Sequence, residues 1–155
     1  MTGEVEKRLA GLGITLPKPA APAANYVPFV VAGPLVFISG QVTVGPAGIE
    51  YVGKLGREFS VEDGQAAARL CAINLLAQLR VACGGDLDRV RRCVKLGVFV
   101  NCTADFTEQP QVANGASDLM VAALGDSGRH ARAAVGAPSL PLGVAVEVDG
   151  IFEIA

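Results

Sequence analysis

Two opposite charges placed in otherwise apolar sequence are the residues best suited to chemistry. Arg132 lies between Ala131 and Ala133-Ala134, and Glu147 lies within Val144-Ala145-Val146-Glu147-Val148. Small neighbours leave room around a guanidinium, whose planar fork suits two-point binding of a carboxylate or phosphate. A carboxylate among Val and Ala can hold a water as acceptor or base if it has another hydrogen-bond donor. If residues 130–137 and 144–149 pair as antiparallel strands about a turn near Ser139 and Leu140, Arg132 and Glu147 fall opposite each other on one sheet face. A plain ion pair between them is then the competing reading.

His130 is the only histidine. As a strand neighbour of Arg132 it is expected on the opposite face, in a surface or capping role rather than a catalytic one. One histidine and no Cys-x-x-Cys pair cannot assemble a local zinc set, so no metal is expected. The sequence holds no nucleophile elbow, phosphate-binding loop or Gly-x-Gly-x-x-Gly, so neither a serine triad nor a nucleotide cofactor has support.

The elements that must position these residues follow from periodicity. Residues 4–12 carry Val5, Leu9 and Leu12 at helical spacing, with Thr2 as a cap and Glu4 and Glu6 in the first turn. Pro17, Pro19 and Pro22 end that helix in an extended connector. Residues 1–24 are therefore read as a helical appendage, and 25–155 as the main domain. From Tyr26 the pattern turns to β: residues 26–31, a Gly33-Pro34 turn and residues 35–38 form a hairpin, with Gly40 permitting a bulge or close backbone approach. Residues 49–52 make a weaker third strand.

Ser60 caps an amphipathic helix through Ala66, Leu70, Ile73, Ala77 and Val81 that stops at Gly84-Gly85. Val94, Leu96, Val98 and Val100 alternate as a strand, and a second helix runs from Gln109 or Pro110 to Leu124, weakened at Asn114-Gly115. The order β-β-β-α-β-α-β-β is an α+β layer with two helices on one sheet face. The other face needs a cover. A chain of 155 residues that is 51% hydrophobic and 18% charged, with mean hydropathy +0.43, points to association with copies of itself.

No run approaches the roughly 18 apolar residues of a membrane span, and the N-terminus lacks a secretory pattern, so a cytoplasmic location is expected. Cys71, Cys83, Cys93 and Cys102 read as reduced, buried thiols. With net charge −2 and one basic cluster at Arg89-Val90-Arg91-Arg92, nucleic acid receives little electrostatic help and is not an expected partner.

Ala131-Arg132-Ala133-Ala134-Val135, then Leu140-Pro141 and Val144-Ala145-Val146-Glu147-Val148, resemble the C-terminal signature of the Rid (YjgF) family of reactive-intermediate deaminases. Tyr26-Val27 with Ser39-Gly40-Gln41 resembles its N-terminal block, and Val98-Phe99-Val100 with Asn114 its middle. The resemblance implies a chorismate-mutase-like α+β fold and a homotrimer whose sheets form a central barrel, with clefts between subunits. It also implies cofactor-free hydrolysis of enamines and imines of the 2-aminoacrylate type to 2-keto acids and ammonia. By position, Arg132 would grip the substrate carboxylate and Glu147 would hold the attacking water. Tyr26, Gly40 and Asn114 would line the cleft. Some relatives carry an endoribonuclease or translation-inhibitor label, and a non-catalytic carboxylate-binding trimer is a further alternative. The segment before Tyr26, the longer loop at 101–112 and Gly136-Ala137-Pro138-Ser139 depart from the common short members.

Overall fold

The computed structural model describes residues 3–19 and 24–155. Five strands form the main sheet: β1 Phe29–Ala32, β2 Leu35–Gln41, β5 Val90–Asn101, β6 Ala131–Ala137 and β7 Val146–Ile154, in the order β1-β2-β7-β5-β6. Helices α2 Val61–Ala82 and α3 Gln109–Leu124 pack on one face of it. This is the expected α+β layer. The third strand is not part of it: β3 Val44–Gly45 and β4 Gly48–Ile49 form a separate two-stranded hairpin.

Local chemistry sets the boundaries. Gly33 at φ +59 followed by Pro34 closes the two-residue β1–β2 turn, where a positive φ matches the strands' twist. Ser60 and Asp63 cap α2 reciprocally, each side chain bonding the other residue's backbone N–H. The predicted α2 stripe is rotated off the true core face. Ala67, Ala68, Cys71, Ala72, Leu75, Leu76 and Leu79 are buried, joined by Ala77 of the predicted stripe, whereas Val81 is 52% exposed. Small Ala and Cys side chains carry little hydropathy, but they allow α2 to lie close to the sheet. On β5, Leu96, Val98 and Val100 are buried as the alternation requires, and an irregularity between Cys93 and Lys95 turns Cys93 into the core in place of Val94. All four cysteines are free and buried. Burial pushes the Cys71 and Cys93 thiols up, the latter to about 12.

The expected β6–β7 hairpin does not form. β6 pairs parallel with β5, and β7 pairs antiparallel with β5 on its other side. The cause lies in the crossover: α3 joins β5 to β6, and a β-α-β unit makes its two strands parallel neighbours. β6 is thereby carried to the outer edge, and β7 must enter between β5 and β2. Leu142 at φ +61 and Gly143 at φ +72 shape the turn that makes this passage.

The N-terminal helix α1, Glu4–Gly11, is no loose appendage, because Val5, Leu9 and Leu16 are buried in the common core. Thr2, the expected cap, and part of the connector, residues 20–23, lie outside the described residues. The helix start is held from afar: the Asp88 carboxylate accepts the Glu4 and Val5 amides at 2.9 and 3.0 Å. Among the described residues, no helix is long and apolar enough to cross a membrane.

Candidate functional site

The register places Arg132 and Glu147 on opposite faces, against the expectation that they share one. Arg132 is level with Leu96, a core residue on the helix side. Glu147 is level with Phe99, while its neighbours Val146 and Val148 are buried against the helices. Strand β5 also lies between their strands. Among the described residues the two make no ion pair, so the reading in which they merely neutralise each other fails.

Glu147 belongs to a cleft of about 330 Å³ whose lining includes Tyr26, Ser39, Gly40, Asn74 and Leu142. The β2–β7 register shifts by one residue between Ile38 and Gln41, a bulge at Ser39-Gly40. There the Glu147 carboxyl lies over Gly40: a methyl group on Gly40 would sit 2.8 Å from Cδ and 3.0 Å from Oε1. The glycine therefore leaves room for an acid in this position, a reason the sequence reading did not identify. Ser39 Oγ donates to the Val27 carbonyl at 2.8 Å, tying the Tyr26 segment to the strand, and Tyr26 itself is half exposed. Asn74 of α2 donates to the Val42 and Val44 carbonyls, both at 3.0 Å, and fixes the opposite wall. Burial holds the Glu147 carboxyl above its ordinary range, with Asp149 adding to the effect.

Arg132 lies elsewhere, on the edge strand against α3. Its Nη1 donates to Asn114 Oδ1 at 2.9 Å and to Ser117 Oγ at 3.1 Å, and Nη2 donates to the Pro110 carbonyl at 3.3 Å. Three of the five guanidinium N–H groups are thus engaged by neutral acceptors. The Nε–H and one Nη2–H have no partner among the described residues. Two N–H donors left over on one guanidinium suit a carboxylate, which takes such a fork with both oxygens. Asn114 looked like a weakness in α3, but its side chain is an Arg132 acceptor.

The chain thus brings Tyr26, Gly40 and Glu147 together, and Arg132 and Asn114 together, as two clusters apart. Ser117 and Asn74 were missed. Ser117 follows Asn114 by three residues, so the two share a helix face, and that spacing was the available signal. His130 was misplaced: it precedes the first β6 pairing, so strand alternation does not govern it, and its Nε2 lies 2.8 Å from Ser117 Oγ. Among the described residues, no three His, Cys, Asp or Glu side chains gather in a group fit to hold a metal.

Residues 6–153 match the family model described as "YjgF/chorismate mutase-like, putative endoribonuclease". A Trypanosoma cruzi protein, Protein TCP17, is 51% identical over 154 residues, which are 99% of this chain and 96% of that protein. The crystal structure of a protein with unknown function from Agrobacterium tumefaciens is 48% identical, with a TM-score of 0.92 over 97% of this chain and 92% of that one. That of RidA from the Antarctic bacterium Psychrobacter is 31% identical, with a TM-score of 0.60 over 88% of this chain and 94% of that one.

Proposed function

Because the chain belongs to the YjgF/chorismate mutase-like family, we propose that it hydrolyses reactive enamines and imines of the 2-aminoacrylate type to 2-keto acids and ammonia, at sites formed between subunits of a homotrimer. The observation that carries this reading is the division of the chemistry. An anion-gripping edge on Arg132 and a water-holding carboxylate on Glu147 are built separately, on opposite faces, with β5 between their strands. In this reading, association of copies brings one to the other. The sheet face away from the helices supports association, since Val30, Phe37 and Val135 stand exposed on it.

In the composite site, the free edge of Arg132 from one subunit takes the substrate carboxylate, and Asn114 keeps the guanidinium in place. Glu147 of the neighbour accepts a hydrogen bond from the attacking water and turns its lone pair toward the imine carbon. Addition gives a carbinolamine, and expulsion of ammonia leaves the keto acid. The imine is already electrophilic, so orientation supplies most of what the site must provide. Tyr26 and Leu142 line the cleft beside Glu147.

The RNA-cleaving alternative finds less support in the basic cluster. Arg89 donates to the Cys83 and Ala155 carbonyls at 3.1 and 2.7 Å, and Arg92 donates to the Arg129 carbonyl at 3.2 Å. These guanidinium groups brace the fold rather than line a groove.

The test is ammonia and keto-acid release from enzymatically generated 2-aminoacrylate by wild type, Arg132→Ala, Glu147→Gln and a refolded mixture of the two variants. Each variant alone is expected to keep only a small residual activity, and the mixture to recover part of the lost activity through sites holding both wild-type residues. A folded Arg132→Ala protein with wild-type activity overturns the assigned chemistry. A mixture with no recovered activity overturns the composite site.

A further inference from the structure

The acceptor side of Arg132 is itself supported. His130 Nδ1 lies 2.6 Å from the Gly128 carbonyl oxygen, and Nε2 lies 2.8 Å from Ser117 Oγ. A carbonyl oxygen can only accept, so Nδ1 must carry the proton. In the neutral ring Nε2 is then an acceptor, and it takes the Ser117 hydroxyl proton. With its proton committed to His130, Ser117 Oγ presents lone pairs to Arg132 Nη1 at 3.1 Å. Every bond in the series runs in one direction, from the guanidinium through the hydroxyl and the imidazole to a backbone carbonyl.

We propose that Ser117 and His130 are positioning residues for the Arg132 anion-binding edge. The relay fixes the rotation of the guanidinium about its long side chain, so that the two N–H groups without a protein partner stay available to an anion. Asn114 and the Pro110 carbonyl alone would hold one end of the fork on α3. The third contact, to Ser117, ties the same nitrogen to the start of β6 through His130. An Arg side chain has rotamer entropy to lose on being fixed, and a relay that has already ordered it lowers the cost of binding a carboxylate.

This inference rests on the reading of Arg132 as a carboxylate anchor, but it can be tested without turnover. The protein has a single histidine, so the ¹⁵N spectrum of labelled protein reports its tautomer without assignment. The expected form has a protonated Nδ1 and a bare Nε2. Binding of pyruvate, a 2-keto acid, is followed by calorimetry alongside steady-state kinetics. Ser117→Ala and His130→Leu are expected to raise its Kd about ten-fold, the effect of losing one hydrogen bond to a charged group. Ser117→Thr and His130→Gln, which keep a hydroxyl and an acceptor, are expected to restore most of the affinity. In turnover the loss should fall on KM more than on kcat.

An Nε2-protonated imidazole in the wild type overturns the proposal. So does unchanged pyruvate affinity in Ser117→Ala or His130→Leu protein with native-like spectra, or a wild type that binds no pyruvate. A protein that shows the tautomer and the affinity pattern yet releases no ammonia from 2-aminoacrylate keeps the relay and loses the deaminase reading.

Discussion

Gly40 offers a direct way to disturb Glu147 without touching it. An alanine methyl there would lie 2.8 Å from Glu147 Cδ, 3.0 Å from Oε1 and 3.1 Å from Cγ. Carbon atoms settle at about 3.5–4.0 Å, so the carboxyl group must withdraw by roughly 0.7 Å or more. Gly40 is not among the residues with positive φ, which leaves the backbone able to accept alanine, and the crowded atoms are the mobile end of a side chain. The cost to stability should therefore stay under about 1 kcal/mol, below the usual range for overpacking. Catalysis has no such slack: a misplacement on the order of 1 Å can cost about 10²-fold, equivalent to roughly 2.7 kcal/mol of barrier. The assay is imine hydrolysis by Gly40→Ala, Glu147→Gln and the double variant, with urea unfolding alongside. If Gly40 acts through Glu147, the double variant is no slower than Glu147→Gln alone. A Gly40→Ala enzyme at wild-type rate, or losses that multiply in the double variant, would refute the reasoning.

Three further outcomes follow from packing and hydrogen bonding. Gly115→Ala, which in an open helix would gain about 1 kcal/mol, should instead destabilise the fold by about 1–3 kcal/mol in urea unfolding, because its methyl would lie 2.0 Å from the Gln65 backbone oxygen of α2. Asn101→Ala should cost a similar amount, about 1–3 kcal/mol for a buried group left unpaired. Its buried amide donates to the Gly53 and Val144 carbonyls at 3.2 and 3.1 Å and accepts from Lys54 Nζ at 2.7 Å. The Val5 and Glu4 amides hold the Asp88 carboxyl below its ordinary range. Its anchoring of α1 is then complete above the ordinary carboxylate pKa and is lost as pH falls through the lowered value. Hydrogen exchange in α1 should show that dependence in wild type and lose it in Asp88→Ala.

What could be read from the sequence was what neighbours in the chain decide. Ser60 and Asp63 announce the start of α2 by their own reciprocal bonds, and Gly33-Pro34 announces its turn. The alternation of Leu96, Val98 and Val100 survives into the core. Quantities set by distant parts of the chain were not legible. The α2 face was misjudged because it is selected by the sheet and α3 on which the helix packs, where Leu75, Leu76 and Leu79 join the small Ala and Cys side chains, and the anchorage of α1 was missed because its cap is Asp88. The β6–β7 hairpin was a local inference defeated by a non-local fact, the α3 crossover that makes β6 the neighbour of β5.

That last error bears on the chemistry. Had the hairpin formed, Arg132 and Glu147 would have faced each other in one chain, and close approach would have offset the charge of each. Their separation leaves Arg132 surrounded by the neutral oxygens of Asn114, Ser117 and Pro110, which orient a guanidinium without cancelling its charge. Glu147 has burial and Asp149 working against its ionised form. In the proposed reaction, a substrate carboxylate at Arg132 and a water at Glu147 meet the remaining electrostatic demand of both. An internal salt bridge would have met that demand before any ligand arrived.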